Sequence, residues 1–328
     1  MTLSRRTVLT GAATAAVTPL LAPALAQASA PAVGKQNAGF YRYKVGDIEI
    51  TVVTDGANTF KFADNHVLNK TRDELNKALE AAHYPKDLMT TPYNPLVINT
   101  SGKLVVIDTG TGEGTYERSK GATGQFQNNL KAAGIDRNAI DVVIISHFHG
   151  DHINGLITAD KKPACPNAEI MVPAAEWKFF MDDGEMSRAN GDRMKTVFAG
   201  VRNVFDAIGR KVTQYESGKQ VAPGITAVAT PGHTPGHNSH IIASGKDKVY
   251  VQADVTHVPW VNARHPDWHV FYDQDPATAE ATRRKVYDML VAEKMRVQGF
   301  HYPFPSLAYV EKSGEGYRET MVPWNPTI

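Results

Sequence analysis

Apolar and polar residues alternate along Ile48-Glu49-Ile50-Thr51-Val52-Val53, a two-residue period that predicts a strand closed by Asp55-Gly56. From Arg72 to His83 the period changes. Leu75, Ala78, Leu79 and Ala82 recur at helical spacing. Pro95-Leu96-Val97-Ile98 and Leu104-Val105-Val106-Ile107 read as a hairpin around Ser101-Gly102. Gln125 to Ala133 reads as a helix stopped by Gly134. Val142-Val143-Ile144-Ile145 is apolar at every position, as a strand covered on both faces requires. Arg188 to Ile208 reads as mostly helical. Strands follow at 225–229, 240–243 and 248–252. Asp275-Pro276 then opens a helix to about Glu293, with Asp as N-cap and Pro in the first turn. Val297 to Phe300 reads as the last strand. Strands and helices fall into two batches, roughly 41–210 and 221–304. That order predicts one α/β domain of two packed sheets with helices outside.

The first 40 residues stand apart. Ser4-Arg5-Arg6 precedes an Ala-rich apolar stretch from Val8 to about Ala26, ending in Ala24-Leu25-Ala26. This predicts a twin-arginine signal peptide over 1–26, a flexible lead-in over 27–40 and a single folded domain over 41–328. Pro19 and Pro23 break the stretch, which is short of the ~20 apolar residues a span needs, so no stable membrane anchor is expected. The expected location is periplasmic or secreted. Export of an already folded protein suits an enzyme that carries metal, and Cys165, the only cysteine, allows no intramolecular disulfide. A formal net charge of +1 gives no bulk argument for a nucleic-acid partner.

The candidate chemistry sits at the end of the all-apolar strand, in His147-Phe148-His149-Gly150-Asp151-His152. Side chains two apart on an extended segment share a direction, so His147 and His149 are expected to grip one metal together. Asp151 and His152, past Gly150, are expected to aim at a second position. Imidazole and carboxylate suit zinc, and also iron or manganese.

This run resembles the signature of the metallo-β-lactamase superfamily, and so do four further segments. Val106-Ile107-Asp108-Thr109-Gly110 is similar to its early strand and turn, Pro231-Gly232-His233-Thr234-Pro235-Gly236-His237 to its third motif, Gln252-Ala253-Asp254 to its fourth, and Gly299-Phe300-His301-Tyr302-Pro303 to its fifth. The resemblance implies an αββα sandwich, two mixed β-sheets packed face to face with helices outside. It implies two divalent ions, zinc first, with iron, manganese or cobalt as alternatives. His147, His149 and His233 would hold one, and Asp151, His152 and His301 the other, with Asp254 between them. Asp108 and His237 would support the ligands from behind, and a bridging hydroxide would attack the substrate.

Departures from named branches narrow the substrate. Asp254 stands where the cysteine-dependent β-lactamases need Cys, and the lactamases that share His-x-His-x-Asp-His lack this Asp. The flavin domain of diiron members and the nucleic-acid modules of RNA-processing members are not seen. Glyoxalase-type thioesterases act in the cytosol. The chain resembles most the exported branch of methyl parathion hydrolase, lactonases and aryl esterases. Phe148 and Gly150 differ from the Met and Pro of methyl parathion hydrolase. The expected small-molecule substrate is therefore a lactone or aryl ester, with organophosphate triester hydrolysis as a side activity.

Trp260, Trp268, Phe271 and Tyr272 follow Asp254 and are expected to wall the pocket, with Phe180 opposite. The same aromatic stretch suits a core or a homodimer contact. His257, three residues past Asp254, is a candidate for proton transfer beside Asp151 and Asp254. The alternative from another class is a mononuclear-iron redox enzyme of the sulfur dioxygenase kind on the same fold.

Overall fold

The computed structural model describes Gly34 and residues 36–328. The expected signal peptide, its cleavage site and most of the lead-in lie outside the described residues. The compact unit spans Ala38–Ile328.

In chain order the elements are β1 (Phe40–Val45), β2 (Ile48–Val53), β3 (Gly56–Lys61), α1 (Arg72–Ala81), β4 (Leu88–Tyr93), β5 (Leu96–Thr100), β6 (Lys103–Ile107), α2 (Phe126–Ala132), β7 (Val142–Ile144), α3 (Gly150–Ile153), β8 (Glu169–Pro173), α4 (Ala174–Met181), α5 (Asp183–Arg188), α6 (Gly191–Ala207) and β9 (Thr213–Tyr215). The second half holds β10 (Gln220–Ala222), β11 (Ile225–Ala229), β12 (Asn238–Ser244), β13 (Asp247–Ala253), α7 (Pro259–Asn262), α8 (Pro276–Glu293), β14 (Arg296–Gly299), β15 (Leu307–Ser313) and β16 (Gly316–Met321). One sheet has the order β1-β2-β5-β6-β7-β8-β9 and the other runs β10 to β16 in sequence. The two batches of the sequence are thus the two sheets. Both are mixed: β6, β7, β8 and β9 pair in parallel, as do β13 and β14, and the remaining neighbours are antiparallel.

Alternation sorts the side chains into layers. Val105, Ile107, Val142 and Ile144 face Ile225, Ala227, Ile242 and Val251 between the sheets. Val106, Val143 and Ile145 turn the other way, onto Phe126, Phe198 and Phe205 of the outer helices. β7 is apolar at every position because it is covered on both faces. On the far side α8 packs Val286, Tyr287 and Leu290 against Tyr250 and Val297. The result is the αββα sandwich.

The structure also holds strands that the sequence pattern does not predict. β1 begins at Phe40, inside the expected lead-in. β3 and β4, with α1 between them in sequence, form a separate two-stranded antiparallel sheet. β14 is not the last strand, since β15 and β16 extend the second sheet.

Candidate metal centre

Strand β7 ends at Ile144, and the chain releases His147 and His149 before Gly150 starts α3. His233 lies in the turn between β11 and β12. Asp254 and His301 follow β13 and β14, at the carboxyl ends of two parallel neighbours, where ligands collect in α/β folds. The register of β13 against β14 shifts between Val251 and Ala253. Ala253 adopts φ 48°, a left-handed conformation that costs a non-glycine residue about 1–2 kcal/mol. Strain of this kind gathers at functional sites. Here it immediately precedes Asp254.

The donor atoms converge in two groups. His149 Nδ1 stands 2.7 Å from His233 Nε2 and 3.2 Å from His147 Nε2. In the second group, Asp151 Oδ2 is 3.7 Å from His152 Nε2 and 3.5 Å from His301 Nε2. Asp254 joins them, with Oδ1 3.2 Å from His152 Nε2 and Oδ2 3.2 Å from His301, 3.3 Å from His233 and 3.7 Å from His147. A tetrahedral ion with bonds of 2.0–2.1 Å sets its ligand atoms about 3.3 Å apart. The separations of 2.7–3.7 Å within the two groups bracket this value. His152 Nε2 and Asp254 Oδ1 are buried with no hydrogen-bond partner, which leaves their lone pairs for an ion.

Electrostatics differ between the groups. Burial pushes His147, His149 and His233 well below the usual imidazole range, so these rings are neutral, the form that donates a lone pair. Burial opposes charge on His152 and His301 as well. Asp254 overrides it for both, aided by Asp108 and Asp151 at His152 and by Asp151 at His301, and both are held above the ordinary value. Burial alone would raise Asp254, but His301, His152 and His147 hold it well below the carboxylate range. The carboxylates draw positive charge into the second group, and a divalent cation satisfies the same field.

Four of the five ligand rings are held from behind, His149 being the exception. His152 Nδ1 is 2.8 Å from Asp108 Oδ2, and Asp108 also accepts the N–H and hydroxyl of Ser146 at 2.8 and 2.7 Å. The Ser146 hydroxyl reaches His147 Nδ1 at 3.0 Å. His301 Nδ1–H donates to Pro92 O at 2.7 Å. His233 Nδ1 is 2.8 Å from Asp273 Oδ1, and the fully buried Arg283 holds Asp273 Oδ2 at 3.1 Å. His237 Nε2 accepts the Asp254 N–H at 3.0 Å, so it positions Asp254 and faces no ion. One further buried acid, Glu176, accepts from Phe148 N at 3.2 Å, Gly236 N at 2.9 Å and the Thr234 hydroxyl. It ties the loop of His147 and His149 to the loop of His233. Burial pushes Glu176 up to about 7 against the pull of these donors.

A cleft of about 270 Å³ opens over the donors, lined among others by Phe60, Tyr93, His257, Phe271 and Tyr272. His257 Nε2 lies 3.3 Å from Asp254 Oδ2, and neither of its ring nitrogens makes a hydrogen bond. The structure brings together His147, His149, Asp151, His152, His233, Asp254, His257 and His301, with Phe271 and Tyr272 at the wall. Three expectations are corrected. Trp260 stacks on Tyr84 at 4.0 Å and, with Trp268, joins the core under α1. Phe180 is fully buried beside Phe148 and Phe198. None of the three lines the cleft, because burial against other apolar groups outweighs exposure to a wet, polar pocket.

A model of the family described as the metallo-beta-lactamase superfamily matches residues 89–292. The chain belongs to the metallo-β-lactamase superfamily. Its relatives in that superfamily include an N-acyl homoserine lactonase from Bacillus sp, 25% identical over 177 residues, 49% of this chain and 62% of the relative, which is under two thirds of that protein's length. N-acyl homoserine lactonase AiiA from Bacillus thuringiensis subsp. kurstaki is 23% identical over 237 residues, 67% of this chain and 84% of the relative. The structure of AidC, a dizinc quorum-quenching lactonase in complex with a product, aligns at TM-score 0.80 and 27% identity over 88% of this chain and 98% of AidC. Hydrolase AbOPH aligns at TM-score 0.81 and 24% identity, over 89% of this chain and all of AbOPH, and shares the fold. The donor set of this superfamily member is of the kind that holds metal ions.

Sequence reasoning missed Ser146, Glu176, Asp273 and Arg283, and the cleft residues Phe60, Tyr93 and Arg193. No motif marks them. Asp273 stands 40 positions from His233, and an Asp in a loop before a helix reads as a cap.

Proposed function

We propose that this protein is an exported two-metal hydrolase that opens lactones or cleaves aryl esters, with phosphotriesters as side substrates. The observation that carries the reading is Asp254, whose carboxylate lies between two groups of imidazole and carboxylate donors at the floor of a partly apolar cleft. The lactonase names of the relatives support lactones as the first class to try. Export rests on Ser4-Arg5-Arg6 and the apolar stretch to Ala26.

Bound divalent ions supply Lewis acidity and lower the pKa of water. The chain does the rest. His147, His149 and His233 would hold one ion and Asp151, His152 and His301 the other, with Asp254 placed to serve both. Phe271, Tyr272, Phe60 and Tyr93 shield the reacting carbonyl from bulk water. During hydrolysis the water oxygen adds to the acyl carbon, the acyl C–O bond breaks and a proton ends on the leaving alkoxide. His257, unpaired and open to the cleft, is placed to hold that proton.

The redox alternative uses one iron, and the Asp151, His152 and His301 group argues for a second ion. The test is metal analysis of the mature protein together with a panel of lactones, aryl esters and phosphotriesters. About two ions per chain with lactone or ester turnover are expected. One iron per chain, oxygen consumption and no ester turnover would sink the proposal.

A further inference from the structure

The hydrolytic scheme uses every group that touches the donors yet leaves the cleft's one guanidinium idle. Arg193, on α6, lines the cleft beside His149 and Phe271. It also lines a neighbouring cavity of about 390 Å³ with Phe179, Met194 and Phe198. Arg193 and Phe271 alone border both spaces, so together they form the partition between them. The guanidinium carbon stands 5.1 Å from the centre of the Phe271 ring, a cation–π contact that orients the group.

Arg193 is exposed, and among the described residues no side chain forms an ion pair with it. Among the described residues no carboxylate lies within 4.0 Å of the Arg193 guanidinium. Asp273, which acts on it from further away, commits one oxygen to His233 and the other to Arg283. Glu185, which lines the second cavity with Asp273, pairs with Arg188 at 2.8 Å. Arg193 does not serve its own helix either, since it sits in the first turn of α6, where the helix dipole disfavours a cation. A guanidinium stacked on a ring keeps its N–H edges free, and those edges match a carboxylate through two parallel hydrogen bonds.

We propose that Arg193 is a specificity residue that receives a carboxylate carried by the substrate on the part remote from the bond that breaks. The inference deepens the hydrolase reading and rests on it. Its substrate class is lactones or esters bearing a second, free acid group.

The test compares two aryl esters on metal-loaded wild type, Arg193→Gln and Arg193→Lys. They are 4-nitrophenyl butyrate and the 4-nitrophenyl monoester of glutaric acid. The quantity read is the ratio of kcat/KM for the acidic ester to that for the neutral one. Replacement by Gln lowers this ratio about tenfold to a hundredfold, the scale of a hydrogen bond to a charged group. The change lies in KM, Lys gives an intermediate value, and high salt lowers the wild-type ratio. Equal ratios in wild type and the Gln variant overturn the proposal. A second arm needs no turnover: glutarate and butyrate are titrated calorimetrically into the same proteins. Wild type prefers glutarate and the Gln variant loses that preference; a preference that survives Arg193→Gln overturns the proposal. If neither these esters nor any lactone or phosphotriester of the panel is turned over while the glutarate preference still depends on Arg193, the hydrolase reading fails and the carboxylate site stands.

Discussion

Replacing Arg283 by Met tests how far the metal centre depends on a residue that touches no donor atom. Arg283 is fully buried and donates to Val255 O at 3.0 Å, Pro266 O at 2.8 Å and Asp273 Oδ2 at 3.1 Å. Those partners span the loop that carries His257, Phe271 and Tyr272. Met fills much of the volume but leaves the Asp273 carboxylate buried without its cation. Breaking a buried pair from one side costs about 3–5 kcal/mol. At the usual unfolding entropy per residue, a unit of this length then loses roughly 5–8 °C in Tm. His233, oriented by Asp273, should lose metal affinity by about 10–100-fold. Calorimetry of the metal-free protein reads the first effect, and competition with a chelator reads the second. Adding Asp273→Asn removes the stranded charge, so the double variant should be more stable than Arg283→Met alone. A loss below about 1 kcal/mol, or a double variant weaker than the single one, would refute the argument.

Three further outcomes are expected. Asp254→Ala should lose the metal pair and lower kcat/KM by about 10²–10³-fold or more, read by metal content and aryl-ester turnover; survival of turnover would remove Asp254 from its central role. Burial lowers His240 to about 4, so its neutral ring contributes stability above the unfolded value of 6.5, and that contribution is lost as pH falls from 6.5 to about 4. Urea unfolding at pH 7 and pH 5 should show the decline, and His240→Asn should flatten it by up to about 1.4 kcal/mol per pH unit; an unchanged slope would exclude this source. Asp55→Ala should cost about 3 kcal/mol or more in urea unfolding, because Asp55 accepts from Thr111 N, the Thr111 hydroxyl, Gly124 N and Phe126 N at 2.6–3.2 Å. A cost below about 1 kcal/mol would mean that water replaces those bonds.

Local patterns carried the parts of the fold that depend on neighbours in sequence. The apolar run Val142 to Ile145 and the spacing of His147 and His149 are short-range facts, and the structure places both as the pattern implies. Asp275-Pro276 marks the start of α8 for the same reason. The two-stranded β3–β4 sheet left no such trace, because its residues are mostly exposed or half-buried and carry no clean alternation. Trp260 and Trp268 show the opposite failure. A large aromatic residue fits a pocket wall and a core equally well, and only packing against Tyr84 and α1 decides. Asp273, Arg283 and Glu176 gain their roles from partners brought close by the sandwich, which composition and periodicity do not record.

The division of the ligands between the sheets bears on the order of assembly. Each ion position takes two donors from the loop after β7, in the first sheet, and one from the second: His233 for one position and His301 for the other, with Asp254 also from the second. Neither half of the chain alone completes a site. Ions held by these donors would therefore gain their full ligand sets only after the sheets have docked. Once bound they would span the seam, so parting the sheets would also release the metal. Loading should then slow unfolding far more than it speeds folding.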